Sequence, residues 1–245
     1  MKGFSRKIIM TLLVGMMSIG ITTNAQQQGT TTEKALNLKQ QSIVSIAALT
    51  ATGNLEDLKP ALNNGLDAGL TINEIQEIII HLYAYAGFPR SIHGLQTFMT
   101  VLDERKAKGI NDELGPEASP VTDNRSKYVR GKENLEELIG KPLEGPNIGY
   151  AAFAPTIEVF LKEHLFADIF ERDVLNYHQR ELVTVSVLAA LGGVEPFMRS
   201  HMDIALYQGV TSGQLEHLVD LIEENIGEKE AEAAEKVLIE LLKSK

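Results

Sequence analysis

Beyond residue 35 the chain places apolar residues at the spacing of an α-helix. Ile43, Ile46, Ala47 and Thr50 fall on one face of a first helix. A second runs from about Leu55 to Leu66 and is closed by Gly69. Thr71 opens a third, forming with Glu74 the capping-box pair ahead of IQEIIIHLYAYAG. Pro89 begins a fourth segment, with Ile92, Leu95, Met99 and Leu102 expected to face inward. The run INDELGPEASPVT, Ile110 to Thr122, breaks the period and reads as a linker. Helix returns over 123–139 and over 150–170, the latter through Ile157, Phe160, Leu161 and Leu165. A last amphipathic helix turns Val237, Leu238 and Leu241 inward. No stretch alternates with a period of two, so the fold class is expected to be all-α.

The chain also repeats itself. ALNLKQQSIVSIAALTATGNLEDLKPALNNGLDAGLT, from Ala35, matches VLNYHQRELVTVSVLAALGGVEPFMRSHMDIALYQGVT, from Val174. Leu36 pairs with Leu175, Asn37 with Asn176 and Gln40 with Gln179. After a one-residue slip at the turn, Gly69 pairs with Gly209 and Thr71 with Thr211. The expected organisation is a first repeat over 35–109, the linker over 110–122, and a second repeat with its leading helices over 123–245.

Residues 1–25 have the order of a secretory signal peptide. Lys2, Arg6 and Lys7 precede the apolar run Ile8–Ile21, and small residues stand before Gln26. The apolar run is short for a membrane span. The expectation is a cleaved leader, a polar disordered lead over 26–34, and a periplasmic or secreted protein with no membrane attachment after cleavage. The formal charge is −10, from 23 basic and 33 acidic residues, which argues against a nucleic-acid partner. The chain contains 0 Cys, so disulfides, thiolate metal sites and thiol redox chemistry of its own are excluded. Metal, nucleotide and serine-hydrolase motifs are absent from the sequence, and no metal or cofactor is expected.

The second copy, RELVTVSVLAALGGVEPFMRSHMDIALYQGVT, resembles the carboxymuconolactone decarboxylase and AhpD-like family, and the first copy carries that family's EIQEIIIHLYAYAGFPRSIHG signature. The resemblance covers about residues 35–245. It implies tandem AhpD-like helical bundle repeats that assemble as a homotrimer, with Tyr83, Tyr85 and Phe98 as candidate interface residues. It also implies chemistry of two kinds: decarboxylation of a muconolactone, or thiol-dependent peroxide reduction. In the redox branch, a Glu and a His flank a Cys pair. Glu181 and His201 stand at the Glu and His positions, while the Cys positions fall around Gly193 and Pro196. Peroxide reduction by that mechanism is therefore excluded.

Geometry gives Glu181 and His201 a reason to meet. Glu181 lies about 17 Å before the Gly192–Gly193 turn and His201 roughly 12 Å beyond it, at 1.5 Å per helical residue. In an antiparallel hairpin their heights then differ by about 5 Å, within reach of a direct or water-bridged contact. A carboxylate beside an imidazole orients the ring and favours its protonated form, as an acid/base pair requires. The competing reading is a surface Arg180–Glu181 cluster beside a packed His.

The first copy has Ser42 and Ala61 at those positions, and the second has Asn225 where the first has Tyr85. One composite site, or none, follows more naturally than two. His81 and Tyr85 are one turn apart on one helix face and are candidates for binding a carboxylate or enolate oxygen. His93 is a third candidate for that pocket, whereas His164, His178 and His217 sit among charges and are expected to be solvated. Two functions remain. One is a cofactor-independent acid/base enzyme, of carboxy-lyase type, acting on a small carboxylated lactone or enolisable acid. The other is a non-catalytic helical scaffold or small-ligand binder.

Overall fold

The computed structural model describes residues 35–245; the expected leader and polar lead lie outside them. Among the described residues every regular element is helical. Helices α1 (Leu38–Thr52), α2 (Leu55–Asp67), α3 (Ile72–Ala86) and α4 (Phe88–Ala107) form the first copy. A connection through α5 (Lys127–Ile139), α6 (Tyr150–Phe153), α7 (Pro155–Phe160) and a π-helix (Leu161–Ile169) follows. Helices α8 (Tyr177–Leu191), α9 (Glu195–Tyr207), α10 (Ser212–Asn225) and α11 (Glu228–Lys243) form the second copy. No helix among the described residues is long and apolar enough to cross a membrane.

The repeat is visible in the helix starts. Asn37 with Gln40 and Asn176 with Gln179 close capping boxes on α1 and α8. Thr71 with Glu74 and Thr211 with Gln214 do the same on α3 and α10. Each box satisfies two backbone donors that a helix start leaves open, and its cap stabilises by about 1 kcal/mol. Gly69 and Gly209 precede the second pair of boxes at φ 89° and 91°, a left-handed turn that a β-carbon would strain.

Helices α1 and α8 pack along one another at the centre. The sequence suggested a single buried face for α1, but Val44, Ala48, Leu49 and Ala51 are buried as well. A helix covered on all sides loses its amphipathic signature. One hydrophobic core runs from Leu36 to Leu241 through both copies, so the repeats are not separate globules.

The inward face of α4 also differs from expectation. Ile92 and Met99 are exposed and Leu95 and Leu102 half-buried, while Ser91, Gly94, Phe98, Val101 and Arg105 point inward. Small residues decide this orientation. A β-carbon on Gly94 would come within 2.7 Å of Thr50 Cγ2, and the Ser91 hydroxyl donates to the Ile79 carbonyl at 2.7 Å. Phe98 is thereby committed to the core, which removes it from the expected interface residues. Tyr83 is half-buried and stacked on Phe88, with ring centroids 4.5 Å apart.

The linker is irregular, as expected, but its course is fixed. Carbonyls of Glu113 and Leu114 accept the Ile72 and Asn73 amides, each at 2.9 Å, so the linker covers the start of α3. Buried Arg105 grips Asp112 with both Nε and Nη2.

In the 150–170 region Ile157 and Phe160 are exposed, and Leu161 and Leu165 only flank a small core of Leu138, Phe166 and Phe170. Glu158 and Lys162 occupy the inward positions as a buried ion pair. From Leu161 on, the π-helix closes its hydrogen bonds one residue further along the chain and so shifts the faces that a 3.6-residue period would assign. Its wide backbone lies against α5 at Gly131, where a β-carbon would fall 1.8 Å from the Lys162 carbonyl oxygen. Gly131→Ala should therefore destabilise the protein by about 1–3 kcal/mol despite alanine's better helix propensity. A urea midpoint unchanged from that of the parent chain would refute this close packing.

Candidate active site

Glu181 lies in the middle of α8 and His201 in the middle of α9, and the two helices run antiparallel across the Gly192–Gly193 turn. The contact is direct: His201 Nδ1 is 2.9 Å from Glu181 Oε2. A carboxylate can only accept here, so Nδ1 carries the proton and Nε2 keeps its lone pair. Glu181 is fully buried, whereas the His201 side chain retains 17% exposure. The imidazole therefore joins a buried carboxylate to the surface. Glu181 Oε1 is buried with no hydrogen-bond partner among the described residues. An uncompensated carboxylate oxygen in that position is costly, and a donor supplied from outside would relieve it.

The neighbour of Glu181 is equally informative. Arg180 is not on a surface; it is 0% exposed, which overturns the surface-cluster reading. Its Nη2 donates to Glu77 Oε1 at 2.8 Å, and its Nη1 lies 3.1 Å from His81 Nδ1. Arg172 meets Glu77 from the other side at 2.9 Å. A guanidinium has no acceptor, so His81 Nδ1 must be the accepting nitrogen and Nε2 must hold the proton. That Nε2–H donates to Thr184 Oγ1 at 2.9 Å, and the Thr184 hydroxyl donates to the Arg180 carbonyl at 3.0 Å.

Both nitrogens of His81 are thus occupied inside the protein. Burial, then the charge of Arg180, push its pKa well below the usual 6.5. The ring expected to contact substrate is fully enclosed, with Arg180 and Thr184 on its two nitrogens. The sign of the pH effect follows. In the unfolded chain this histidine protonates below about pH 6.5, while the native state resists. The unfolded state then binds more protons, and stability falls as pH falls through that range. The loss should reach about 1.4 kcal/mol per pH unit, seen in urea unfolding at pH 7, 6 and 5, and should shrink in His81→Gln.

Tyr85 stands between the copies. Its ring centroid is 5.5 Å from that of His81 and 6.1 Å, edge-on, from that of His201. Its hydroxyl is buried with no partner among the described residues. Burial and the charge of Glu181 raise the phenol's pKa, so Tyr85 is a neutral donor. A phenol of the first copy thus meets the Glu–His pair of the second.

His93 is corrected. It stands on the exposed face of α4, its carbonyl accepting the Thr97 hydroxyl, and its ring meets neither Tyr85 nor His201. His164 is exposed and paired with Asp168 at 3.1 Å. The other two are half-buried rather than solvated. His178 meets the Gln40 amide at 3.1 Å, and His217 Nδ1 accepts the Leu36 amide at 3.0 Å, each joining the copies.

The network of Glu77, Arg172, Arg180 and Thr184 was missed from sequence. One signal was present: Glu77 and His81 lie one turn apart among isoleucines, and a charge inside an apolar face needs a buried partner.

A model of the carboxymuconolactone decarboxylase family matches residues 22–98 and 155–240. A 4-carboxymuconolactone decarboxylase of Acinetobacter baylyi is 30% identical over 101 residues, which cover 39% of this chain and 72% of that protein.

Proposed function

The chain belongs to the carboxymuconolactone decarboxylase family, and from that premise we propose that it is a cofactor-independent acid/base enzyme acting on a small carboxylated lactone or a related enolisable acid. The observation that carries the proposal is the 2.9 Å Glu181–His201 contact, with the partnerless oxygens of Glu181 and Tyr85 beside it. In this reading Glu181 orients His201, whose Nε2 carries the proton to or from the reacting carbon. Loss of carbon dioxide leaves an enolate. Tyr85, held neutral, donates to the oxygen on which that charge gathers, and His201, having taken a proton from solvent at Nε2, delivers it to carbon. The test is turnover of 4-carboxymuconolactone and related lactones by the purified protein, followed by the release of carbon dioxide. No turnover, with no proton exchange at an enolisable carbon, would favour the alternative of a non-catalytic scaffold or small-ligand binder.

The proposal extends to assembly and location. We expect a homotrimer, with the exposed Phe88 and the half-buried Tyr83 and Tyr85 near the contact. Light scattering that gives a monomer at micromolar concentration would rule it out. We also expect export to the periplasm or beyond, with the mature chain starting near Gln26; N-terminal sequencing that finds Met1 on cytoplasmic protein would refute this.

A further inference from the structure

The repeat places a second location in the fold equivalent to the Glu181–His201 site, and its contents are different. Ser42 on α1 takes the position of Glu181, Ala61 on α2 that of His201, and Asn225 on α10 that of Tyr85. Every one of these side chains is shorter than its counterpart. Where the Glu181–His201 site fills the space with two rings and a carboxylate, the equivalent location leaves a cleft of about 650 Å³. That volume is within the usual range for small-molecule pockets, roughly 300–1,000 Å³.

The lining suits a ligand rather than bare solvent. Leu38, Pro60 and Leu221 supply apolar surface, and Gln41, Ser45 and Asn64 add polar groups. The Asn225 amide is already anchored, donating to the Leu221 carbonyl at 2.7 Å and reaching Ser45 Oγ at 3.3 Å, so its carbonyl oxygen remains to accept. Charge then decides what fits. Among the described residues no Lys, Arg or His lines the cleft, whereas Asp57, Asp67 and Glu224 do. The Glu181–His201 site has Phe197 and Tyr207 of the second copy and Ala84 of the first at the corresponding positions. Asp67 is neutralised by Arg105 at 2.8 Å. The Asp57 carboxylate accepts from the Asn54 side-chain amide at 2.7 Å, the Asp57 backbone amide donates to Asn54 Oδ1 at 3.3 Å, and Glu224 has no partner among the described residues. Two acids thus remain without a cation.

We propose that this cleft is a second ligand site, selective for a small organic cation of the amine class. It shares no residue with the Glu181–His201 site, so it stands whether or not that site is catalytic. A carboxylated substrate is repelled from it by the same acids that draw an ammonium group.

The experiment is calorimetric titration of the full protein with 1,4-diaminobutane, with D-glucose and succinate as neutral and anionic comparisons. The diamine should bind once per chain, more weakly as salt is raised, and the other two should not bind. Asp57→Asn with Glu224→Gln should weaken the diamine about tenfold. Ala61→His with Asn225→Tyr installs side chains that the other copy accommodates, and should abolish binding by filling the space. The acidic pair of substitutions is at the surface and keeps the test sound if the filled variant fails to fold. Absence of diamine binding at millimolar concentration, binding unchanged in the acid-neutralised protein, or preference for succinate or glucose would each overturn the proposal.

Discussion

His201→Ala should lower turnover of a carboxylated lactone by roughly 10²–10⁴-fold, the contribution of a positioned acid/base group. The prediction is specific because only one ring nitrogen of His201 is left free. Nδ1 is held by Glu181, and Glu181 is buried, so Nε2 is the group with a lone pair and access to the surface. Glu181→Gln should also reduce turnover. An amide no longer favours the imidazolium, and its NH₂ can turn toward His201 and select the wrong tautomer. Tyr85→Phe removes one hydroxyl that has no hydrogen-bond partner among the described residues, so it should leave stability nearly unchanged and act on turnover alone. His201→Ala should fold and assemble as the parent does, because the ring is partly exposed and little apolar volume is lost. Turnover that survives His201→Ala unchanged would place the chemistry elsewhere. Unfolding of both His201→Ala and Glu181→Gln, with no substrate found, would make the pair structural.

What sequence could show here, and what it could not, divides along a physical line. Helix starts were legible because a capping box is a local exchange of hydrogen bonds, complete within four residues, as at Asn37, Thr71, Asn176 and Thr211. The Glu181–His201 meeting was legible because both residues lie on one hairpin, where helical rise sets their heights. The orientation of α4 was not, since Gly94 and Ser91 set it through contacts to Thr50 and Ile79, and neither residue adds to an apolar period. Beyond Phe160 the inward face was lost because a π-helix departs from the 3.6-residue period on which any such assignment rests, while in α7 the buried position is taken by Glu158, paired with Lys162, rather than by Ile157 or Phe160. His81 looked like a binding group because it stands one turn from Tyr85. Its actual role depends on Arg180, 99 residues away, which occupies the nitrogen that a ligand would need. His93 followed from adjacency beyond Pro89, and the rotation of α4 turned it outward.

Replacing Arg180 by Met should cost about 3–5 kcal/mol of folding stability, the usual penalty for breaking a buried ion pair from one side. Burial opposes the charge on Arg180 and pulls its pKa down, while Glu77 favours that charge. Met matches much of the volume, so the cost isolates the charge and the hydrogen bonds rather than a cavity. Three partners are lost together: Glu77, the Arg172 carbonyl and His81 Nδ1. Arg172 still faces Glu77, but with 40% of its own side chain exposed it compensates only in part. Glu77→Leu alone should be similarly harmful, since it leaves a guanidinium enclosed without its anion. The double variant Arg180→Met with Glu77→Leu should be less destabilised than the sum of the singles by about 1 kcal/mol or more, the usual coupling of a buried pair in contact. Urea unfolding of the four proteins at one pH gives the cycle directly, provided the slope of unfolding free energy on urea concentration is shared. Because Arg180 and Thr184 belong to the second copy and Glu77 and His81 to the first, a coupling energy near zero would mean that this charged contact adds nothing to what the apolar core and the other polar contacts between the copies supply. A large one would make this charged contact part of what fixes the register of α3 on α8, and with it the distance from Tyr85 to His201.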